Sequence, residues 1–222
     1  MSETPDNTGT RERIIEAAGE LFAAQGFRGA TIRDICSRAG VNVAAVNYHF
    51  RDKESLYAEV LQHAHRHCAA EYPFEAPQPG HTPEARLMAF VTNFLHRLLD
   101  DGRPAWQGKL MALEMADPTP ALDTLVELGI RPMIATLEEI VRDLLGPLAS
   151  LEAVQLCGGS IVGQCLHYKH AKPVIVRMGL WRIEGAEDVA ALAEHIVTFS
   201  LGGIARIRQA QSAAMKGIPA HE

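Results

Sequence analysis

The run TIRDICSRAGVNVAAVNYHFRDK, residues 31–53, holds helix-start residues at Thr31, Asn42 and Asp52 and a helix-stop glycine at Gly40. Short hydroxyl, amide and carboxylate side chains accept the orphan N–H groups of a first helical turn, and glycine takes the left-handed conformation that follows a last one. The spacing therefore predicts a helix over 31–39, a tight turn, a very short helix over 42–48 and a further helix beginning at Asp52. Asp34, three residues after Thr31, places an acid at the donor end of the first of these.

Similar punctuation continues along the chain at helix-length spacing, and alternating strand-like runs are scarce. TRERIIEAAGELFAAQGF puts Ile14, Ala17, Ala18, Leu21 and Phe22 on one face and Arg13, Glu16 and Glu20 largely opposite, with Thr10 able to cap its start and Gly26 to end it. The helix from Asp52 stops before PFEAPQPG, a Pro-rich linker. Beyond it come amphipathic helices from the Thr82–Pro83 pair and from Pro104. A long helix over 121–146 follows, with a kink expected at Pro132, and then two apolar helices over about 151–170 and 188–208. The stretch PVIVRMGLWRIEGAED, from Pro173, reads as extended or irregular. The fold class is all-α with about nine helices. An N-terminal arm and three-helix helix-turn-helix domain is placed at 1–53, and a C-terminal helical domain at 54–222.

Composition narrows the classes. A chain of 222 residues buries roughly 70% of its unfolded surface. No run of about 18 uncharged apolar residues is present, so no membrane partner is expected. MSETPDNTGT lacks the basic and apolar regions of a signal peptide and reads as a polar arm, which points to the cytoplasm. Cys36, Cys68, Cys157 and Cys165 form no CxxC pair and read as reduced, buried thiols. The net charge of −6 argues by itself against nucleic acid, but its distribution does not: residues 1–53 carry seven Lys/Arg and seven Asp/Glu, and the whole deficit lies in the remainder.

Within the helix-turn-helix layout, Val46 and Phe50 are four apart and face the core, while Ala44 and Asn47 lie on another face. Small side chains there let a helix backbone enter a major groove about 12 Å wide. Asn47 can pair with adenine and the Ala and Val methyls can touch thymine methyls. Lys53, near a helix start, suits a phosphate.

The segment AAGELFAAQGFRGATIRDICSRAGVNVAAVNYHFRDKESLYAEVL resembles the DNA-binding domain of TetR-type transcriptional regulators, over about residues 11–61. The elements that carry the likeness are LFAAQGF, TIRDI, AGV and YHFxxKExL; Asn47 stands where many members carry tyrosine. The resemblance implies that Thr31 and His49 touch phosphates. It implies that Arg33, Val43, Ala44 and Ala45 approach bases, with Asn47 and Lys53 on the backbone or groove edge. Tyr48 neighbours Ala44 by periodicity, yet the family pattern packs it inside. The plainer alternatives are a solvated amide for Asn47, a surface charge for Arg33 and a capping group for His49.

The second half resembles the CecR-like (CerR-like) subgroup, through LEMADPTPALDTLVELGIRPMIATLEEIV and the Gly-rich helix from Cys157. Membership implies a homodimer, double-stranded operator DNA as partner, and a pocket for a small-molecule effector. Wide apolar faces point to a dimer independently, through Cys157, Ile161, Gln164, Ile196, Phe199, Ser200 and Ile204, with Trp181 and Arg182 as further packing candidates; the plainer alternative is that these faces complete a monomer core. Trp106, Met111, Glu114, Met115, Met133, Leu137, Cys165, His167 and Tyr168 combine adaptable apolar groups with polar anchors, as a pocket lining does; the plainer alternative is that the methionines and Leu137 are ordinary core. The expected function is a repressor released from a palindromic operator by its effector, with no cofactor and no enzymatic activity. The rival readings are a metal site on His63 and His67, one turn apart, and a redox pair of Cys157 and Cys165. Those two cysteines stand near 12 Å apart by helical rise, too far for a disulfide. A helical enzyme using Glu114 and His167 is the third alternative, without any of the usual hydrolase, P-loop or dinucleotide motifs.

Overall fold

The computed structural model describes residues 7–74, 80–99, 104–180 and 185–216. Among these residues every regular element is helical: α1 (Asn7–Gly29), α2 (Ile32–Ala39), α3 (Val43–Phe50), α4 (Lys53–Glu71), α5 (Pro83–Leu99), α6 (Ala105–Ala116), α7 (Ala121–Leu125), a π-helical turn (Val126–Ile130), α8 (Arg131–Leu145), α9 (Leu151–Met178) and α10 (Ala186–Lys216). Helical backbone runs unbroken from α7 through the π turn into α8, so the described residues form nine rods. The expected polar arm at 1–10 is helical from Asn7, where α1 begins, and its residues 1–6, like residues 75–79 of the expected linker at 73–80 and Trp181 and Arg182, lie outside the described residues.

Two compact units divide the chain. One comprises Met1–Glu71 and Asp101–Arg131, the other Tyr72–Asp100 and Pro132–Glu222. The division does not fall at residue 53. Leu56, Tyr57, Val60 and Leu61 of α4 and Trp106 and Leu110 of α6 join the same core as Ile14, Ile15 and Phe22 of α1. Burying those apolar faces against α1 ties both segments to the helix-turn-helix part. Tyr57 meets Phe22 edge-on and Phe27 at a tilt, each with centroids 4.9 Å apart.

The second unit packs α5, α8, α9 and α10 around Leu87, Phe90, Leu137, Val141, Ile161 and Ile196. The chain just beyond α4 is pinned to α5. Phe74 stacks on Phe90 at 4.6 Å, Asn93 donates to the Pro73 carbonyl at 2.7 Å, and Arg97 donates to that of Tyr72 at 2.7 Å.

Gly26 ends the first run of α1 as its sequence suggests: the backbone leaves helical geometry there (φ 73°, ψ 168°), and a separate short turn carries the chain to Gly29. Two sequence expectations are revised. Ahead of Pro132 the helix widens into the π turn. Proline offers no N–H to the carbonyl four residues back and crowds it, and a wider turn relieves the clash. Residues 173–178 are helical rather than extended: Pro173 sits inside α9, its fixed φ is compatible with helix, and the helix runs to a left-handed Gly179 (φ 64°). By length and composition alone α10 qualifies to cross a bilayer, and 39% of its most apolar window is buried. Val189, Leu192, Ala193, Ile196 and Val197 supply that buried side.

Candidate nucleic-acid interface

Both ends of α2 and the starts of α3 and α4 are fixed by the residues the sequence marks. Thr31 Oγ1 accepts the Asp34 N–H at 3.2 Å and donates to the Asp34 carboxylate at 2.7 Å. Gly40 takes φ 65° and its N–H reaches the Cys36 carbonyl. Asn42 Oδ1 accepts the Ala45 N–H at 2.9 Å. Asp52 Oδ1 accepts the Ser55 N–H at 2.7 Å, and that bonding to Ser55 holds its carboxyl below the ordinary aspartate range.

Helix α3 ends on Arg51, the one non-glycine among the described residues with positive φ (69°). With ψ −59° and the Asp52 N–H on the Phe50 carbonyl at 2.8 Å, it makes a rare, strained γ-turn that leads directly into α4. Val46 and Phe50 lock one face of α3 into the core. The other face is open: Val43, Ala44, Asn47 and Tyr48 are exposed, Tyr48 to 77%. The helical period, rather than the inward family pattern, therefore describes Tyr48. Ala45 and His49 are half-buried at the margins of that face.

The segments that flank α3 in the chain carry several cations. Arg28, Arg33 and Arg51 are exposed and form no ion pair among the described residues, while Arg38 is paired with Glu20. Lys53 is less available than its position suggests. Its Nζ sits 4.7 Å over the Phe27 ring and 3.5 Å from the Arg28 carbonyl, bracing the end of α1 against the start of α4. Arg11 has a comparable bracing role that the sequence reading missed. It pairs with Glu59 at 2.8 Å and lies 5.4 Å from the centroid of Phe50, the last residue of α3. Nothing in the local pattern announces a contact between residues so far apart in the chain.

The profile of the C-terminal domain of the HTH-type transcriptional dual regulator CecR matches residues 83–204. The profile of bacterial regulatory proteins of the tetR family matches residues 14–60. The chain belongs to the TetR family, with a CecR-type C-terminal domain. CecR of Shigella flexneri, an HTH-type transcriptional dual regulator, is 27% identical over 183 residues, covering 77% of this chain and 80% of CecR. SrpR of Pseudomonas putida is 48% identical over 52 residues, 23% of this chain and 24% of its own. Among solved structures, a TetR-family regulatory protein from Rhodococcus RHA1 superposes with a TM-score of 0.63 at 20% identity, covering 88% of this chain and 96% of that one. HlyIIR, a hemolysin II transcriptional regulator, gives 0.57 at 21% identity, covering 87% and 97%. The chain is thus a DNA-binding transcription regulator, and α2 and α3 are its helix-turn-helix.

The nine residues expected at an effector site are spread over both units. In the first, Trp106 and Met111 join the core, Met115 is exposed, and Glu114 is fully buried. Glu114 accepts bonds from the Tyr57 hydroxyl at 2.7 Å and from the Thr119 N–H and hydroxyl at 2.8 and 3.0 Å, which joins α4 to α6 and to the turn before α7. Burial, reinforced by the Glu114 carboxylate, raises the Tyr57 pKa. In the second unit, Leu137 and Cys165 are buried, Met133 and Tyr168 pack against the core, and His167 is exposed. A small hollow in that unit is lined by Phe74, His81, Arg86, Phe90, Asn93 and Ile140, none of them among the nine.

Of the residues expected at a dimer interface, Cys157, Ile161, Ile196, Ser200 and Ile204 are buried inside the second unit, where α9 and α10 pack on α5 and on each other. Gln164 donates to Ser200 Oγ at 3.1 Å, and Phe199 is 69% exposed. Burial raises the pKa of both Cys157 and Cys165, the latter to about 12. His63 lies 3.8 Å from Glu16, and among the described residues no three His, Cys, Asp or Glu side chains are grouped to hold a metal ion.

Proposed function

We propose that the chain is a repressor that grips a two-fold-symmetric operator as a homodimer and lets go when a small-molecule effector binds. One observation carries the DNA half of this reading: a helix whose inner side is locked by Val46 and Phe50 turns small and polar groups outward. In this reading Arg33, Val43, Ala44 and Ala45 approach base edges and Asn47 and Tyr48 line the groove. Thr31 and His49 meet phosphates, Thr31 by exchanging its bond to Asp34. Lys53 contributes charge at the rim while holding α1 and α4 together. The protein acts in the cytoplasm and performs no catalysis.

A homodimer is supported by the outward sides of α9 and α10. Leu151, Leu156, Phe199 and Ile207 are exposed there, and beside Gly159, Gly163, Gly202 and Gly203 nothing beyond the backbone of their own helix lies within 4 Å of where a Cβ would stand. Exposed apolar groups beside bare backbone suit a close-packed partner helix. Two copies can then present their α3 helices about 34 Å apart, one turn of duplex. Effector release follows if ligand prefers the conformation with misplaced α3 helices, at a typical coupling of about 1–3 kcal/mol. Trp106, Met111, Glu114, Met115, Met133, Leu137, Cys165, His167 and Tyr168 remain the proposed effector residues.

The test is selection of bound fragments from a random duplex pool. An inverted repeat is expected, with half-site centres about 10 base pairs or a multiple apart. Enrichment of an isolated half-site removes the dimer reading, and no enrichment at all removes the regulator reading. Phe199→Asp is expected to yield a monomer in sedimentation and to lose preference for the inverted repeat. A Phe199→Asp protein that stays dimeric puts the interface elsewhere.

A further inference from the structure

The expected DNA contacts all come from α2, α3 and the start of α4. A second feature of the same unit lies beside that set and shares only Ala45 with it. Between the start of α1, the second half of α2 and the turn into α3 lies a shallow open hollow lined by Thr10, Arg13, Ser37, Asn42 and Ala45, with the Cys36 thiol also contributing. Among the described residues its lining holds one guanidinium, two hydroxyls and an amide, and no carboxylate.

Arg13 is exposed; among the described residues it forms no ion pair, and its one hydrogen bond is a long 3.4 Å contact to Thr10 Oγ1, which itself lines the hollow. Ser37 is exposed one helical turn after Arg33, so it sits on the side of α2 that carries the expected base-reading arginine. Asn42 borders the hollow and caps α3. Its Oδ1 takes the Ala45 N–H and leaves those of Val43 and Ala44, at the first turn of an eight-residue helix, without an intrahelical acceptor.

We propose that this hollow is a clamp for a DNA backbone phosphate, with Arg13 as its cation and Thr10 and Ser37 as its hydroxyl donors. The clamp rests on the DNA-binding reading of the chain and extends the footprint from α3 to the start of α1. Three independent elements converge on it, so it fixes how α3 is seated against the groove: a phosphate held there sets register and carries no sequence information itself. A guanidinium matches two phosphate oxygens at once, which an ammonium does not.

The experiment is the salt dependence of affinity for a random-sequence duplex of about 30 base pairs and for the selected operator. Each neutralised phosphate contributes about 0.9 to the slope of log K against log salt. Arg13→Ala is expected to lower the slope by about 0.9 per bound protomer on both duplexes, leaving their affinity ratio unchanged. Arg13→Lys is expected to restore the slope, and Ser37→Glu to weaken both complexes severely. Thermal unfolding of the free variants identifies any loss caused by misfolding, and Arg13, being exposed, is expected to leave the midpoint unmoved. A well-folded Arg13→Ala protein with the wild-type slope overturns the clamp while leaving the DNA-binding reading intact. A changed affinity ratio overturns it too, because the residue then reads bases. A wild-type protein whose affinity for every duplex is insensitive to salt removes the DNA-binding reading itself.

Discussion

Trp106→Ala is expected to destabilise the first unit by about 3–5 kcal/mol, the usual cost of emptying a buried aromatic site. Trp106 is 7% exposed, and its indole N–H donates to Glu16 at 3.0 Å, so the truncation also strips a carboxylate of its partner. The ring lies directly on α1: a Cβ built at Gly19 would stand 2.6 Å from two of its atoms. That approach makes the contact separable from ordinary hydrophobic loss. Gly19→Ala is expected to cost several kcal/mol in the wild type, because the indole has to move, and little in a Trp106→Ala background. The helix propensity of alanine then partly offsets the cost. Urea unfolding of the four proteins measures the coupling. Equal Gly19→Ala costs in both backgrounds remove the Trp106–Gly19 contact as the cause. Because α1 also carries Arg11, which braces the end of α3, DNA affinity is expected to fall with stability and to recover on cooling.

The elements most legible in the sequence are those with local causes. Thr31, Gly40, Asn42 and Asp52 act within four residues of themselves, and each does in the structure what its chemistry suggests. Val46 and Phe50 are separated from Ala44 and Asn47 by helical period alone, so the two faces of α3 follow from counting. Tyr48 shows the same logic prevailing over a family pattern. What escaped notice depends on distant partners. Glu114 has the composition of a ligand anchor, but Tyr57, 57 residues earlier, satisfies it from α4. Lys53 looks like a free cation until Phe27 is found beneath it. For α9 and α10 the pattern identified apolar helices correctly, yet Cys157, Ile161, Ile196 and Ile204 serve their own unit's core, and the outward side is marked instead by glycines and Phe199. A helix apolar over most of its circumference does not reveal which side meets its own chain. Pro132 and Pro173 show a related limit: each removes one hydrogen bond, and whether the helix breaks, widens or continues is decided by the packing around it.

Ala44→Glu is expected to abolish operator binding, by more than about 100-fold, while changing the stability of the free protein by no more than about 0.5 kcal/mol. The two halves of that expectation have different causes. Ala44 is exposed and makes no core contact, so nothing is lost inside the fold. It is also the second residue of α3, where a carboxylate sits beside unpaired N–H groups and is favoured by the helix dipole. Against DNA the same carboxylate faces a phosphate array of like charge, and its length holds the backbone of α3 away from base edges that only a small side chain lets it reach. Ala44→Ser separates the two causes, since it adds a hydroxyl with little bulk and no charge; binding is expected to weaken severalfold with the salt slope retained. If Ala44→Glu leaves a folded protein that still binds the operator, α3 does not enter the groove by this face. If it unfolds the protein, Ala44 is not free in solution as the structure has it. Either result moves the recognition surface away from Val43, Ala44, Asn47 and Tyr48, and exposed cations such as Arg28, Arg33 and Arg51 would then have to carry it.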